Sequence, residues 1–317
     1  MVELTDGQQL ADIMALPEYD PDTVLMLGGG SNVLFTGDYR GLVVINMLSG
    51  KQLLDATDKH AFVRFFAGEN WHDCVLWALD QGLAGIENLS LIPGSAGAAP
   101  IQNIGAYGVE LDSVLDCVEA WDLQNNKLIM LRNADCQFTY RDSIFKKSPG
   151  RYWVTNITLK LSRGPRVRVA YRGIKEELQK MQIEQATPAD VSEAVIRIRT
   201  RKLPDPAVIG NAGSFFKNPI VTAENAMRLA SQHPGLPSFE QTGGLVKLSA
   251  AWMIEQCGWK GHREGDAGIS EQHALVFVNH GAATGAELLD LAERVRASVN
   301  EGFGLLLDIE PFIPGPG

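Results

Sequence analysis

An α+β fold is what this sequence predicts, and three observations predict it. Residues 51–165 read as strands with few helices. A Gly/Pro/Ala-rich stretch from Pro93 to Gly108 breaks that region and is too rich in helix breakers for a long helix. Beyond residue 190, helical repeats and short apolar strands succeed one another.

The elements follow in chain order. Val24-Leu25-Met26-Leu27 is a short apolar run ending in three glycines, a buried strand that enters a loop. Leu42-Val43-Val44-Ile45 is a second strand, preceded by the turn residues Gly37, Asp38 and Gly41. Trp71, Cys74, Val75, Ala78 and Leu79 recur at helical spacing, and Gly82 ends that helix. Strands return around 118–123 and 153–161. Val191, Ala194, Val195 and Ile198 mark a helix that Lys202-Leu203-Pro204-Asp205-Pro206 terminates, which places a domain boundary there. Leu248, Ala251, Trp252 and Glu255 fit another helix, ended by Gly258. Ala274 to Val278 is a buried strand. Leu288, Leu291, Ala292, Val295 and Val299 form a last helix, with Thr284 and Glu287 as its capping box. Leu305-Leu306-Leu307 reads as a final strand carrying Asp308 and Glu310.

The 317 residues suffice for two or three domains, and 45% hydrophobic with 21% charged residues is ordinary globular composition. The formal charge, 28 − 38 = −10, repels phosphate backbones, so nucleic acid is excluded as a partner while a local basic pocket remains open. Cys74, Cys117, Cys136 and Cys257 form no CxxC pair, and the six histidines show no ligand spacing, so no metal is assigned and buried reduced thiols in a cytoplasmic protein are expected. No apolar run reaches membrane-spanning length, and Met1 to Asp6 lacks the pattern of a signal peptide.

Four segments can carry chemistry. Gly28-Gly29-Gly30-Ser31-Asn32 lets backbone N–H groups converge on an anion. It is no dinucleotide fingerprint, because Val33 stands where the third glycine belongs, and a plain hairpin loop explains it equally simply. Ile92-Pro93-Gly94 through Asn103-Ile104-Gly105-Ala106-Tyr107-Gly108 costs more backbone entropy than a solvated loop needs. A flat ligand lying against the backbone accounts for it, with a close sheet contact as the alternative. Tyr140 to Lys146 places Arg141 where it could grip a carboxylate in bidentate fashion, or form a structural ion pair with Asp142. Gly210 to Pro219 sets Ser214 among small residues, two phenylalanines, Lys217 and Asn218. A constrained hydroxyl near a cation can give up a proton; a tight turn before a strand is the other reading. Glu310 is either a carboxyl with a raised pKa or an exposed residue at a strand end.

Together these segments resemble the UDP-N-acetylenolpyruvoylglucosamine reductase family, also called UDP-N-acetylmuramate dehydrogenase, in its longer form. The likeness runs through Leu27 to Phe35, Ala67 to Trp71, Ile92 to Glu110, Tyr140 to Lys146, Lys202 to Pro206 and Gly210 to Pro219, nearly the whole chain in the family's order. The resemblance implies a two-lobed FAD-binding part of vanillyl-alcohol-oxidase (PCMH) type, over 1–50 and 51–203, and a separate α+β substrate-binding domain over 204–317. It implies non-covalent FAD held by Gly28, Gly29, Gly30, Ser31 and Asn32 and by Ile92, Pro93, Gly94, Asn103, Ile104, Gly105 and Tyr107. NADPH would supply hydride from the substrate's own site, without a Rossmann domain. The implied catalytic set is Ser214 as proton donor, Arg141 on the enolpyruvyl carboxylate and Glu310 as stabiliser of the developing charge. Tyr171, Lys202, Lys217 and Asn218 match substrate-contacting positions. The expected enzyme is a cytoplasmic monomer that makes a peptidoglycan precursor, the wall material on which cell shape and division depend.

Two departures accompany the likeness. The stretch that family members carry before the region of Thr5 to Leu16, with an Asn-Thr-Phe segment and a first strand, is absent, so a shortened first lobe is expected; the tail after Gly315 is also short. Two other readings compete: a flavin oxidase or dehydrogenase of the same cofactor fold acting on a small hydroxy acid or sugar, and a nucleotide-sugar-binding protein without flavin.

Overall fold

The computed structural model describes residues 1–164 and 167–315. The chain divides into two compact units, one of Met1–Gly30 with Arg40–Arg199, the other of Ser31–Tyr39 with Thr200 onward.

The first unit holds two larger sheets and the short two-stranded pairing of Gly105–Ala106 with Val109–Glu110. A three-stranded parallel sheet has the order Val2–Leu4, Val43–Asn46, Leu25–Leu27, with Val44 opposite both Val2 and Met26. Leu10 and Ile13 of the helix Gln9–Met14 bury with Leu4, Val24, Leu42 and Val44 in one cluster. The second sheet is antiparallel, in the order Lys51–Ala56, His60–Phe66, Tyr152–Ser162, Leu115–Asp122, Lys127–Arg132. Its central strand Tyr152–Ser162, paired on both sides, is buried along most of its length, with Thr155, Asn156 and Thr158 buried among its apolar residues. The helix Trp71–Asp80 packs Trp71, Cys74, Val75 and Ala78 into the same core. Asn70 caps it by accepting from the Asp73 N–H at 3.2 Å, and Gly82 leaves it at φ +69°. The helices Arg172–Lys180 and Pro188–Lys202 make a separate cluster from Ile174, Leu178, Val191, Ala194, Val195 and Ile198. Each such isoleucine, leucine or valine side chain, fully buried, contributes about 1.5–3 kcal/mol.

The second unit has a four-stranded antiparallel sheet, in the order Gly210–Ser214, Val276–Asn279, Ala267–Ile269, Arg263–Glu264. A three-stranded sheet sets Leu245–Leu248 between Ile220–Thr222 and Ser238–Glu240. The helices Ala223–Gln232, Ala250–Gln256 and Gly285–Phe303 cover a core built on Phe215, Phe216, Phe277, Leu291 and Val295. The Thr284–Glu287 capping box forms in both directions, at 3.2 Å and 2.7 Å.

The expected strands and helices lie close to where the sequence puts them, with two corrections. Leu248 ends a strand and does not begin a helix; Ser249 is the cap, accepting from Trp252 N–H at 3.2 Å. Leu305 to Leu307 is not a strand. Three successive leucines suit a buried strand, but the run has no ladder partner among the described residues: Arg296 Nε donates to the Leu307 carbonyl at 2.8 Å, and the bridge to Phe216 is made further on, by Ile309.

All four cysteines are free; Cys74, Cys117 and Cys136 are buried, and burial pushes the Cys74 and Cys136 thiols up to about 12. No helix among the described residues is long and apolar enough to cross a membrane.

Candidate active site and flavin cradle

In the first unit the two glycine-rich loops lie against each other. A Cβ on Gly28 would run into Ser95 Oγ, and one on Gly29 would sit 3.5 Å from Gly94 Cα. Gly30 has φ +66°, where a side chain strains the backbone. Deeper in, a Cβ on Gly97 would lie 2.5 Å from that of Ala67, and Gly97 N–H donates to Ala67 O at 2.9 Å. Main chain thus packs on main chain. Ser95 is 6% exposed, and its hydroxyl has no hydrogen-bond partner within the protein. An unpartnered buried hydroxyl costs about 1–3 kcal/mol unless a ligand meets it.

Asn103 braces the second loop from inside. It is fully buried; its Nδ2 donates to Glu110 Oε2 and Thr139 O, both at 3.3 Å, and its Oδ1 accepts from Asp112 N–H at 3.0 Å. Its side chain thus fixes the shape of the loop. Ile104 is buried, and Ile92, Gly105 and Tyr107 are half-buried, with Pro93 exposed.

Arg141 is pinned beside this loop. Its guanidinium donates to Asn103 O at 3.3 Å and to Gly105 O, and lies 5.3 Å from the Tyr140 ring centroid. A Cβ on Gly105 would come within 2.9 Å of Arg141 Nη1, so glycine makes room for the cation. Tyr107 meets Tyr171 edge to face at 5.3 Å.

Arg199, absent from the candidates, joins them. Its Nε donates to Leu91 O at 3.1 Å, and it hydrogen-bonds the Tyr107 side chain. Burial lowers its pKa, the Tyr107 side chain opposes that, and Arg141 adds a like-charge push in the lowering direction. Next to it His72 Nδ1 accepts from Leu91 N–H at 3.1 Å, and burial drives the His72 pKa down. Two guanidiniums within electrostatic reach of each other are a place for an anion. Leu91, Asn103, Tyr107 and Arg141 all have positive φ, from 45° to 58°. Such strain, about 1–3 kcal/mol each, gathers where a ligand is held. The sequence did carry a signal for Arg199: four residues after Val195, it falls on the apolar stripe of its helix. Among Arg197, Arg201 and Lys202 it passes for a solvated charge.

In the second unit Ser214 ends an edge strand, opposite Val276. The register shifts between Asn211 and Ser214, and Gly213 has φ +72° within the bulge. Bulges of this kind re-aim side chains. Asn211 holds it, donating to Ile209 O at 3.0 Å and accepting from Gly213 N–H at 3.1 Å. After Ser214 the buried Phe215 and Phe216 anchor the strand, and Glu310 N–H donates to Phe215 O at 2.9 Å. Lys217 N–H donates to Asp308 O at 2.9 Å, and Asn218 Oδ1 accepts from Ala250 N–H at 3.0 Å, bracing the start of a helix. Ser214, Lys217, Asn218 and Glu310 therefore lie on two neighbouring segments, and all four are half-buried. Ser31 and Asn32 also belong to this unit: Asn32 O accepts from Phe312 N–H at 2.9 Å. Lys202 is exposed at the end of its helix.

A family model described as an FAD binding domain matches residues 1–127, and one described as the UDP-N-acetylenolpyruvoylglucosamine reductase C-terminal domain matches residues 205–313. The UDP-N-acetylenolpyruvoylglucosamine reductase of Chromobacterium violaceum is 51% identical over 98% of this chain and 92% of its own length. That of Xylella fastidiosa strain M12 is 48% identical over 99% and 90%. This chain belongs to the UDP-N-acetylenolpyruvoylglucosamine reductase family. A crystal structure of the family's enzyme from Thermus caldophilus superposes with a TM-score of 0.65 at 25% identity, covering 99% of this chain and 92% of that one. The α+β fold with an FAD-binding part and a further α+β domain stands accordingly, and the hydroxy-acid oxidase and flavin-free readings fall away. The cradle fits the cofactor: glycines where a Cβ would collide, an unpartnered buried hydroxyl on Ser95, and a loop braced from inside by the buried Asn103.

Proposed function

We propose that this chain is an FAD-dependent oxidoreductase that reduces the enolpyruvyl ether of UDP-N-acetylglucosamine enolpyruvate to UDP-N-acetylmuramate, with NADPH as hydride donor. The observation that carries the assignment of roles is the Glu310 N–H to Phe215 O bond, which sets a carboxyl segment beside the strand that ends in Ser214. FAD, when bound, supplies a two-electron carrier between NADPH and the enol ether. The protein's own residues do the rest. Arg141 binds the enolpyruvyl carboxylate and draws electron density from the double bond, which makes an otherwise poor hydride acceptor reactive. Glu310 helps stabilise the charge that builds up when hydride arrives at one carbon. Ser214 gives its proton to the neighbouring carbon, completing addition of H⁻ and H⁺ across the double bond. Tyr171, Lys202, Lys217 and Asn218 hold the diphosphate and sugar.

The same reading divides the chain into FAD lobes over 1–50 and 51–203 and a substrate domain over 204–317, and makes it a monomer of the cytoplasm. Its test is a visible spectrum of the purified protein. Flavin bands bleached by NADPH and restored by the enolpyruvyl nucleotide support it; a colourless protein that cannot take up FAD defeats it.

A further inference from the structure

From Arg163 to Lys175 the chain carries five basic residues, Arg163, Arg166, Arg168, Arg172 and Lys175, and no acidic one, in a protein of net charge −10. The described part of this run lines a cavity of about 470 Å³, with Arg168, Tyr171 and Lys175 on one side and Tyr107 and Gly108 on the other. A solvated linker between a strand and a helix would explain the charges, but this segment is fastened. Asn88, fully buried, donates both Nδ2 hydrogens, to Arg168 O at 2.9 Å and to Tyr107 O at 3.1 Å. One amide thus locks the two walls of the cavity together. The Tyr171 ring is 45% exposed and touches Tyr107 edge-on, which leaves an aromatic face open for a base. The helix Arg172–Lys180 begins here with no side-chain cap and no acid in its first turn, so its dipole adds to the positive field. Of the acids on this side, Glu87 is buried, accepts the Gly85 N–H through Oε2 and lies within electrostatic reach of Arg168, while Glu177 pairs with Lys180 at 3.5 Å.

We propose that the Arg168–Lys175 wall of this cavity binds the 2′-phosphate of NADPH and so makes the enzyme prefer NADPH to NADH. The inference rests on the function proposed above, and on Tyr171 as a diphosphate contact in particular. Both nucleotides place a ribose next to their diphosphate. On uridine that ribose carries only hydroxyls, whereas on the adenosine of NADPH it carries a phosphate monoester with nearly two negative charges. A dianion needs paired cations in an otherwise repulsive field, and arginine meets a phosphate with two parallel N–H bonds. The same residue type serves this phosphate in enzymes with an unrelated nucleotide fold.

The test compares adenosine 2′,5′-bisphosphate with adenosine 5′-monophosphate, titrated into the FAD-loaded protein by calorimetry. The bisphosphate should bind about ten-fold tighter, with the gap closing as salt rises. In Arg168→Ala and Lys175→Ala the gap should narrow several-fold while the flavin absorbance stays. In steady state the ratio of KM for NADH to KM for NADPH should fall by the same factor. Equal binding of the two nucleotides by the unaltered protein overturns the proposal. So does a proportionate rise of both KM values in the variants, which would assign the cations to the diphosphate. A protein that NADPH bleaches and the enolpyruvyl nucleotide recolours, yet that binds the two adenosine nucleotides alike, refutes this inference and leaves the proposed reaction standing.

Discussion

The amide of Glu310 donates to the carbonyl of Phe215 at 2.9 Å, so Glu310 is tied by backbone to the residue that follows Ser214. The pairing continues in both directions: Phe216 bridges Ile309, and Lys217 N–H reaches Asp308 O at 2.9 Å. A hydroxyl and a carboxyl on adjoining backbone segments hold a fixed separation without any side-chain bond between them. That is what two groups need if they are to serve successive moments of one reaction.

Ser214→Ala tests the proton transfer. It should leave bleaching of the flavin by NADPH within about two-fold, because that half needs no proton on substrate carbon. Return of colour on adding the enolpyruvyl nucleotide should slow by about 100-fold or more, the usual contribution of a positioned acid. Stopped-flow absorbance resolves the halves. Equal slowing of both would remove Ser214 from the chemistry.

Arg141→Lys tests geometry at constant charge. The guanidinium spans the carbonyls of Asn103 and Gly105. One ammonium cannot occupy the same fork and also face a carboxylate with two donors. Turnover should fall by about 10-fold or more, with flavin content unchanged. Undiminished turnover would make Arg141 a brace of the second loop and nothing else.

How far the sequence disclosed this molecule depends on how local each feature is. The Thr284–Glu287 box, the Trp71–Asp80 helix and the loop around Ser214 are written in adjacent residues, and they were readable. The Leu305 to Leu307 run has the composition of a strand but not the partner one needs, because the bridge to Phe216, about 90 residues earlier, falls to Ile309. Arg199 was missed because burial, not residue type, separates it from its charged neighbours. The most hidden feature is the Ser31–Tyr39 segment, which belongs to the second compact unit although residues on both sides of it belong to the first. Its mark in the sequence is a single glycine: a Cβ on Gly285 would run into the Phe35 carbonyl, and nothing near either residue announces that meeting.

Gly28→Ala probes the cradle. The new methyl would collide with Ser95 Oγ, so the Ser95 hydroxyl must turn away from its place in the cradle or the first loop must move off the second. Purified protein should carry less flavin, and added FAD should raise its Tm less than it raises that of the unaltered chain, as mass action requires of a weaker ligand. Gly28→Ala with Ser95→Gly removes the colliding atom and should recover part of the flavin. Full flavin in the single variant would place the cofactor away from these loops.

Asp122 contributes to the acid limb of stability. It closes the strand Leu115–Asp122, 2% exposed, and accepts from Arg151 Nη2 at 3.0 Å, from Arg151 Nε at 3.3 Å and from Asn125 Nδ2 at 2.8 Å. The Arg151 bond, against the opposing cost of burial and with help from Asn125, lowers its pKa to about 2. In the unfolded chain an aspartate titrates near about 3.9. Because the folded value is the lower one, the stabilisation is complete above about 3.9 and is lost as pH falls toward about 2. Asp122→Asn removes that titration. At pH 7 it should cost about 1 kcal/mol, since the partly exposed Arg151 regains water when its acceptor charge goes. Between about pH 4 and pH 2 its Tm should then decline less steeply than that of the unaltered protein, and the two curves should converge. Parallel curves over that interval would show that Asp122 titrates alike in the folded and unfolded chain.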